Sequence, residues 1–257
     1  MQYSRFSLAL LLAAVLSSAG CAYRYYATSL KPLGEDKQGT SHKVADDGTV
    51  TFTQGRLEVS LRPMTDEELN RQFSAFSHDG AHSTNPYTFG DSKVFRTDET
   101  PQRFTVFRLK VENYEYPKVF INPAKIYLTT SNGRKYYALT LAQLRVYYRR
   151  YLQGGAETNT EYWVAGNENE EQNNRETTLN RTLFPAEQIF SAQEKEGYIV
   201  FQPLAPDVEQ VTVHIPDTVV RFDYKGDPSE YIEITAQFGR EIGRQYPDGR
   251  KVAMDEK

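Results

Sequence analysis

Two groups of residues have types and spacings that metal sites use. His78 and His82 are four residues apart, as two ligands on one helix face would be, but Gly80 and Pro86 disfavour a helix there. The acidic residues within 168–171 have the oxygen ligands that Ca²⁺ takes, without the spacing of an EF-hand loop. A solvated loop and a solvated acidic surface are the simpler interpretations. We therefore predict no metal site and no cofactor.

Catalytic motifs with a defined spacing are not found in the sequence. It has no Gly-x-Ser-x-Gly elbow and no glycine-rich phosphate loop, and Cys21 has no second cysteine to form a redox pair. A facing pair of carboxylates, as glycosidases use, stays open because such a pair is defined by distance in space. The formal net charge of −4 disfavours nucleic acid as a partner. We predict a protein that is not an enzyme.

Cys21 follows a segment of the kind that directs export. Arg5 supplies a positive charge, Leu8 to Leu16 form an apolar run, and Ser18-Ala19-Gly20 are small residues. The run is far shorter than the ~20 residues of a membrane-spanning helix. Ser18-Ala19-Gly20-Cys21 resembles the lipobox of bacterial lipoproteins, which implies a signal peptide over residues 1–20 and lipid attachment at Cys21. The alternative is ordinary cleavage near this point, which leaves a soluble periplasmic protein.

The lipobox resemblance also implies a location. In such proteins the cysteine carries acyl chains such as palmitate, and its membrane anchor holds the domain in the bacterial cell envelope. In enterobacterial sorting an Asp after the cysteine favours retention in the inner membrane, whereas this chain has Ala22. We expect the outer membrane, with the domain facing the periplasm.

Most of the chain after the export segment has the sequence pattern of β-strands, which would position any functional site. Residues 21–47 are polar and without a period, which predicts a flexible tether. Period-two alternation then recurs at short spacing, which is typical of an all-β sandwich, here predicted over 48–245 with a polar tail over 246–257. Ten residues are expected to share one core: Leu57, Val59, Phe107, Leu109, Val111, Val200, Val211, Val213, Ile232 and Ile234.

Local signals add a hairpin and two helices. Asn132-Gly133, between two strand-like runs, predicts a type I′ hairpin. "DEELNRQF" after Pro63 predicts a short helix. "TLAQLRVYYRRYLQGG" predicts a longer one with Thr140 as its N-cap, Gln143 three residues on, and glycines at its end. We expect a helical insertion over about 140–183, with a buried stripe of Leu141, Leu144, Tyr148 and Tyr151.

The opposite face of the longer helix is the predicted partner-binding site. It carries Arg145, Arg149 and Arg150, with Tyr147 beside them. Arg and Tyr are frequent at binding hot spots, which favours contact with a protein partner. The simpler interpretation is that the cations only solvate the outer helix face. Tyrosines of this region also suit stacking on sugars, which leaves a glycan ligand as an alternative.

The segment from Arg181 to Pro216 resembles a known family. It has a Leu183-Phe184-Pro185 entry, a polar stretch, and Gly197 opening a strand that ends in Val200-Phe201. This pattern is similar to the telokin-like, immunoglobulin-fold domain of bacterial extracellular lipoproteins. The resemblance implies an immunoglobulin-like antiparallel β-sandwich and a protein-interaction function, and it transfers no catalytic residue. We expect a membrane-anchored envelope lipoprotein that binds or assembles with envelope proteins, or alternatively a carbohydrate- or peptidoglycan-binding module.

Overall fold

The computed structural model describes residues 23–78, 83–93, 100–154 and 168–254. The predicted signal peptide and Cys21 lie outside the described residues. The helices are α1 (Glu35–Gln38), α2 (Asp66–Gln72), α3 (Leu141–Gly154) and α4 (Glu168–Thr182), with 3₁₀ turns at Ser74–Phe76 and Pro123–Lys125. No helix in the described ranges is long and apolar enough to cross a membrane.

The strands of the described chain form three antiparallel sheets. They are β1 (Arg24–Ala27), β2 (Lys31–Pro32), β3 (His42–Val44), β4 (Val50–Gln54), β5 (Leu57–Met64), β6 (Thr105–Asn113), β7 (Lys118–Phe120), β8 (Tyr127–Thr130), β9 (Lys135–Tyr137), β10 (Gln188–Phe190), β11 (Gln193–Phe201), β12 (Gln210–Phe222), β13 (Pro228–Gly239), β14 (Ile242–Gln245) and β15 (Lys251–Ala253).

Two of the sheets pack face to face. The five-stranded sheet has the order β11-β6-β5-β4-β3. The seven-stranded sheet has the order β10-β7-β12-β13-β2, with β8 pairing β12 and β9 pairing β8. The third sheet, β1-β14-β15, is three-stranded, and its strand β14 follows the C-terminal end of β13 after two residues. The predicted all-β class and antiparallel sandwich are therefore confirmed.

The main core lies between the two large sheets, and its residues alternate along the strands as predicted. Strands with one buried face show this period because successive side chains point to opposite sides of the sheet. Val211 and Val213 face inward, which confirms the register predicted for β12. Ile232 is half-buried at the edge of this core. The predicted residues that are fully buried in it are Leu57, Val59, Phe107, Leu109, Val111, Val211, Val213 and Ile234.

Val200 lies in a second core, and its assignment to the main core was wrong. Strand β11 is covered on both faces, so Ile199 and Phe201 face the sandwich while Tyr198 and Val200 face the helices. A strand that is apolar on both sides carries no period from which its orientation can be read. The second core also contains Leu69 of α2, Leu144 and Tyr148 of α3, and Leu179 of α4.

Each of the two predicted helices begins directly after a residue that caps it. Thr65 and Glu68 form a reciprocal capping box at the start of α2. At the start of α3 the Gln143 side chain accepts from the Thr140 amide at 2.8 Å, and the Thr140 hydroxyl accepts from the Gln143 amide at 3.3 Å. These bonds satisfy amides that a helix start leaves unpaired, and those of α3 confirm the N-cap predicted at Thr140.

The hairpin at Asn132-Gly133 is confirmed, but its predicted turn type is wrong. A type I′ turn needs positive φ at both residues, whereas Gly133 has φ of 80° and Asn132 is not among the non-glycine residues with positive φ. The Gly133 amide donates to the Thr130 carbonyl at 2.9 Å, and the Thr130 amide donates to the Arg134 carbonyl at 3.0 Å. One left-handed residue therefore closes this turn.

The flexible tether predicted for residues 21–47 is wrong from residue 24 onward. Strands β1, β2 and β3 pair with β14, β13 and β4, respectively. Gln38 is buried, where its side chain donates to the Gln237 carbonyl at 2.6 Å and accepts from the Gln237 amide at 2.8 Å. The polar tail predicted for 246–257 is also wrong where β15 pairs with β14. These short edge strands are held by main-chain hydrogen bonds, which leave no period in the sequence.

Candidate binding site

The predicted cationic ridge on α3 is not assembled by the described side chains. Arg145 is 41% exposed and forms an ion pair with Glu176 of α4. The Tyr147 ring lies 4.9 Å from the Phe104 ring and packs against the second core. Arg149 is exposed, and the side chain of Arg150 lies outside the described residues. Arg145 and Tyr147 therefore hold α3 in place, because α4 packs beside the face that the α3 pattern alone assigned to solvent.

The predicted absence of a metal site stays a prediction. His78 is largely exposed and lies 3.9 Å from a carboxylate oxygen of Asp91, while His82 lies outside the described residues. Glu171 forms an ion pair with Arg175 at 3.4 Å. Within the described ranges, no three metal-ligating side chains come together.

A cleft of about 460 Å³ lies between the three-stranded sheet and the sandwich. Its volume is within the range of small-molecule sites. One wall is the N-terminal strand and the turn after it, and the other is the end of β5 with the start of α2. Its described polar lining residues are Tyr25, Thr28, Ser29, Thr65, Asp66, Thr100, Gln102, Thr105 and Arg240.

Asp66 is the cleft residue whose acidity departs most from the ordinary value. Burial raises the pKa of its carboxyl to about 6, although the positive charge of Arg103 acts in the opposite direction. Thr65 is the N-cap of α2, so α2 begins at Asp66, and this first residue of the helix lies at the cleft wall. A carboxyl with this pKa is a hydrogen-bond donor in mildly acidic solution and an acceptor above it. Such perturbed groups cluster at functional sites.

Behind Asp66 the second core contains a polar cluster around Tyr148. The Arg103 guanidinium donates to the Tyr148 hydroxyl at 3.3 Å and lies 5.5 Å from the ring centre. Arg175 lies 5.4 Å from the same centre and donates to the Ser83 carbonyl at 2.9 Å. Burial raises the pKa of Tyr148 to about 12 despite the two cations. The cluster joins α3 and α4 to residues 83–86, and its cation Arg103 sets the charge behind Asp66.

Arg240 fixes the opposite wall of the cleft. Its Nε donates to the Val208 carbonyl at 2.8 Å, and its Nη2 donates to the Ala205 carbonyl at 2.6 Å. Burial lowers the pKa of Arg240 because it disfavours the charged form. These bonds hold the loop of Pro203 and Pro206 against the connection between β13 and β14, which gives the cleft a rigid side.

Sequence reasoning identified none of the cleft residues. Asp66 was only part of a short acidic helix start, and Thr28 fell in the predicted tether. Nothing in their spacing distinguishes them, because the cleft joins segments near residues 25, 66, 102, 204 and 240. The Thr65–Glu68 capping pair is a local signal that could have located Asp66, because it fixes where α2 begins, but the sequence prediction of this helix did not use it.

Comparison with known proteins adds little. No family model matches the chain, and no curated protein matches it. Its structure is similar to that of MPT63, a secreted protein from Mycobacterium tuberculosis, with 11% sequence identity and a TM-score of 0.29. The alignment covers 66% of this chain and 87% of that one. A score of this size supports no inference about function.

Proposed function

We propose that this protein is an exported bacterial lipoprotein, anchored through acylated Cys21 in the outer membrane, whose sandwich domain binds an envelope protein without catalysing a reaction. The proposal rests for its anchor on the sequence around Cys21, and for its activity on the cleft beside Asp66. The pattern of residues 181–216, which resembles telokin-like lipoprotein domains, supports the same assignment.

The cleft is the observation that carries the binding function. It combines a preformed shape with converging polar groups, and Arg240 and the α2 cap hold its walls. Tyr25, which lines the cleft, is 47% exposed, so its large flat side chain can contact a ligand. An extended peptide segment of an envelope protein fits an open cleft with such a lining.

The same lining favours one second candidate, a glycan such as a peptidoglycan strand. Hydroxyl and amide groups, here those of Thr28, Thr100 and Gln102, suit sugar hydroxyls, and Tyr25 offers a ring for stacking. Hydrolysis of that glycan by a carboxylate pair needs a second acid facing Asp66. Among the described lining residues, Asp66 is the one carboxylic acid.

A blocked cleft tests the binding function. Gln102 is exposed at the cleft, so Gln102→Trp fills the opening without removing a buried contact. Gln188→Trp is the matched control, since Gln188 is an exposed glutamine on β10 that does not line the cleft. We expect Gln102→Trp to abolish capture of a partner from detergent-solubilised envelopes, and the control to retain it. Equal capture by both variants would refute the cleft as the site.

The same two variants separate the candidates when they are incubated with purified peptidoglycan fragments. Binding of these fragments by the parent and not by Gln102→Trp would favour the glycan. The anchor is tested separately by Cys21→Ala, which we expect to lose its acyl mass and to leave the membrane fraction. A Cys21→Ala protein that still sediments with membranes would show that another feature holds it there.

A further inference from the structure

Very few residues separate the three-stranded sheet from the proposed lipid anchor at Cys21. Strand β1 begins at Arg24, and Tyr23 is two residues from Cys21. Two residues span at most about 7 Å. If Cys21 is acylated, as the proposed function requires, this sheet is the part of the described domain that lies nearest the bilayer.

One face of this sheet is rich in tyrosine. Pairing places Tyr25 opposite Arg244, and Arg244 opposite Val252, so the three side chains share a face. Tyr23 adds a ring 5.4 Å from that of Tyr25 and 6.2 Å from that of Tyr246. The Arg244 guanidinium lies 4.6 Å from the centre of the Tyr23 ring. This face therefore offers tyrosine rings in edge-to-face and tilted contact with a cation among them. Tyr25 also lines the cleft, so Tyr23, Tyr246, Arg244 and Val252 are the residues of this face that are left for a surface.

The other face repeats this chemistry. Lys251 lies 5.1 Å from the centre of the Tyr26 ring, and Tyr26 packs directly over Gly243, where an added Cβ would meet its ring at 2.6 Å. The guanidinium of Arg24 is exposed and donates to Gln245 at 3.3 Å. Both faces thus carry tyrosine beside a cation, and the edge strand β15 contributes exposed Val252.

The sheet is positive in a protein that is negative overall. Residues 23–27 and 241–254 contain four cations and two carboxylates, a formal charge of +2, whereas the whole chain has −4. The cations are Arg24, Arg244, Arg250 and Lys251, and the carboxylates are Glu241 and Asp248. With Asp255, Glu256 and Lys257, which follow β15 in the sequence, the formal charge is +1, so an anionic surface still attracts this segment more than the rest of the chain.

We infer that the β1-β14-β15 sheet seats on the anionic phospholipid headgroups of the membrane that holds the anchor. Tyrosine concentrates at headgroup depth because its ring is apolar and its hydroxyl is wet. Lys and Arg near an anionic leaflet each add attraction. The sheet supplies both groups at the end of the domain that a lipid on Cys21 brings to the surface.

The test uses the single cysteine of the chain. When Cys21 is acylated, an introduced cysteine is the only free thiol, so one fluorophore can be placed at will. Val252→Cys puts it on the sheet, where Val252 is 48% exposed. Tyr224→Cys is the control, because Tyr224 is 92% exposed and precedes β13, at its far end. The 12 residues of β13 separate the two ends by about 40 Å.

Both lipidated full-length variants are reconstituted in vesicles with nitroxide-labelled headgroups. We expect strong quenching at Val252 and little at Tyr224 in vesicles of phosphatidylcholine and phosphatidylglycerol, and weaker quenching at Val252 in phosphatidylcholine alone. Lys251→Glu should reduce the ratio of seated to unseated protein about 30-fold, which corresponds to about 2 kcal/mol for a change of two charges.

Three outcomes are decisive. A protein without acyl mass means that the proposed anchor has failed, and unlipidated chain added to the same vesicles then tests the sheet alone. Acylated protein with equal quenching at both positions, or quenching independent of phosphatidylglycerol, would overturn the seating. Protection of the Val252 label in native envelopes but not in vesicles would assign the sheet to a protein partner and also overturn it.

Discussion

Replacement of Asp66 by Asn should stabilise the protein, and the gain should depend on pH. The native pKa of Asp66 is raised to about 6, whereas an unfolded Asp has about 3.9. Between these values the folded state binds more protons than the unfolded state, so the free energy of unfolding falls as pH rises. Asn carries no proton to lose. The difference between the two proteins should therefore be small near pH 4, grow up to about pH 6 and stay constant above it.

The size of this effect follows from the shift and two opposing terms. A shift of about two units corresponds to at most about 3 kcal/mol, since one unit is about 1.4 kcal/mol. Asp66 is only partly buried, and an ionised carboxylate in the first turn of α2 gains about 0.3–1 kcal/mol from the helix dipole. We therefore expect Asp66→Asn to raise the free energy of unfolding by about 1–2 kcal/mol at pH 7.

Urea unfolding at several pH values between 4 and 7, followed by circular dichroism, measures this difference. Glu67→Gln is the matched control, because Glu67 is the next residue of the same helix turn, with a side chain 86% exposed. The control removes an exposed carboxylate of the same helix turn, together with its exposed ion pair to Arg71, and so measures the loss of a charge at this position without burial. A constant difference between Asp66→Asn and the parent at all pH values would refute the reasoning and mean that water reaches the Asp66 carboxyl at the cleft wall.

Further predictions concern packing. Gly197→Ala should lower the free energy of unfolding by at least about 2 kcal/mol, because the new Cβ would lie 2.5 Å from the Phe184 backbone. Thermal unfolding measures this loss. An unchanged melting midpoint would mean that β11 can move away from residue 184 without cost. Tyr147→Ala should lower the melting midpoint because its ring packs on Phe104, at a cost of about 2 kcal/mol, whereas Arg149→Ala should change stability by less than about 0.5 kcal/mol. Equal melting midpoints for Tyr147→Ala and Arg149→Ala would mean that Tyr147 is a surface residue that does not contribute to packing.

Residues that decide local structure by themselves were predictable. Thr65 with Glu68 and Thr140 with Gln143 each start a helix by bonds within four residues, so the sequence contains the whole cause. The inward residues of β5 and β6 were predictable for a related reason: one buried face imposes period two wherever a strand sits. These signals do not depend on which segment is the neighbour.

Features that depend on a distant segment were not predictable. Arg145 was assigned to solvent because nothing in α3 shows that Glu176 of α4 lies beside it. Strand β1 has only four residues, and its position is determined by pairing with β14, which is more than 200 residues away in the sequence. Asp66 acquires its raised pKa from burial, and the cleft it lines is built from segments near residues 25, 102, 204 and 240 that no local pattern connects to it. In each case the determining neighbour is set by topology, which local pattern does not contain.

The position of β1 connects the proposed anchor to the proposed binding site. Tyr25 and Thr28 both line the cleft, and Tyr25 is four residues from Cys21, a span of at most about 14 Å. A flexible tether of 27 residues would have let the domain turn freely and present any surface. A strand fixed to β14 instead holds the cleft at the anchored end of the sandwich. Under the proposed anchoring, a ligand therefore has to reach the cleft close to the membrane surface, which favours partners that are themselves held in or on that membrane over partners free in solution.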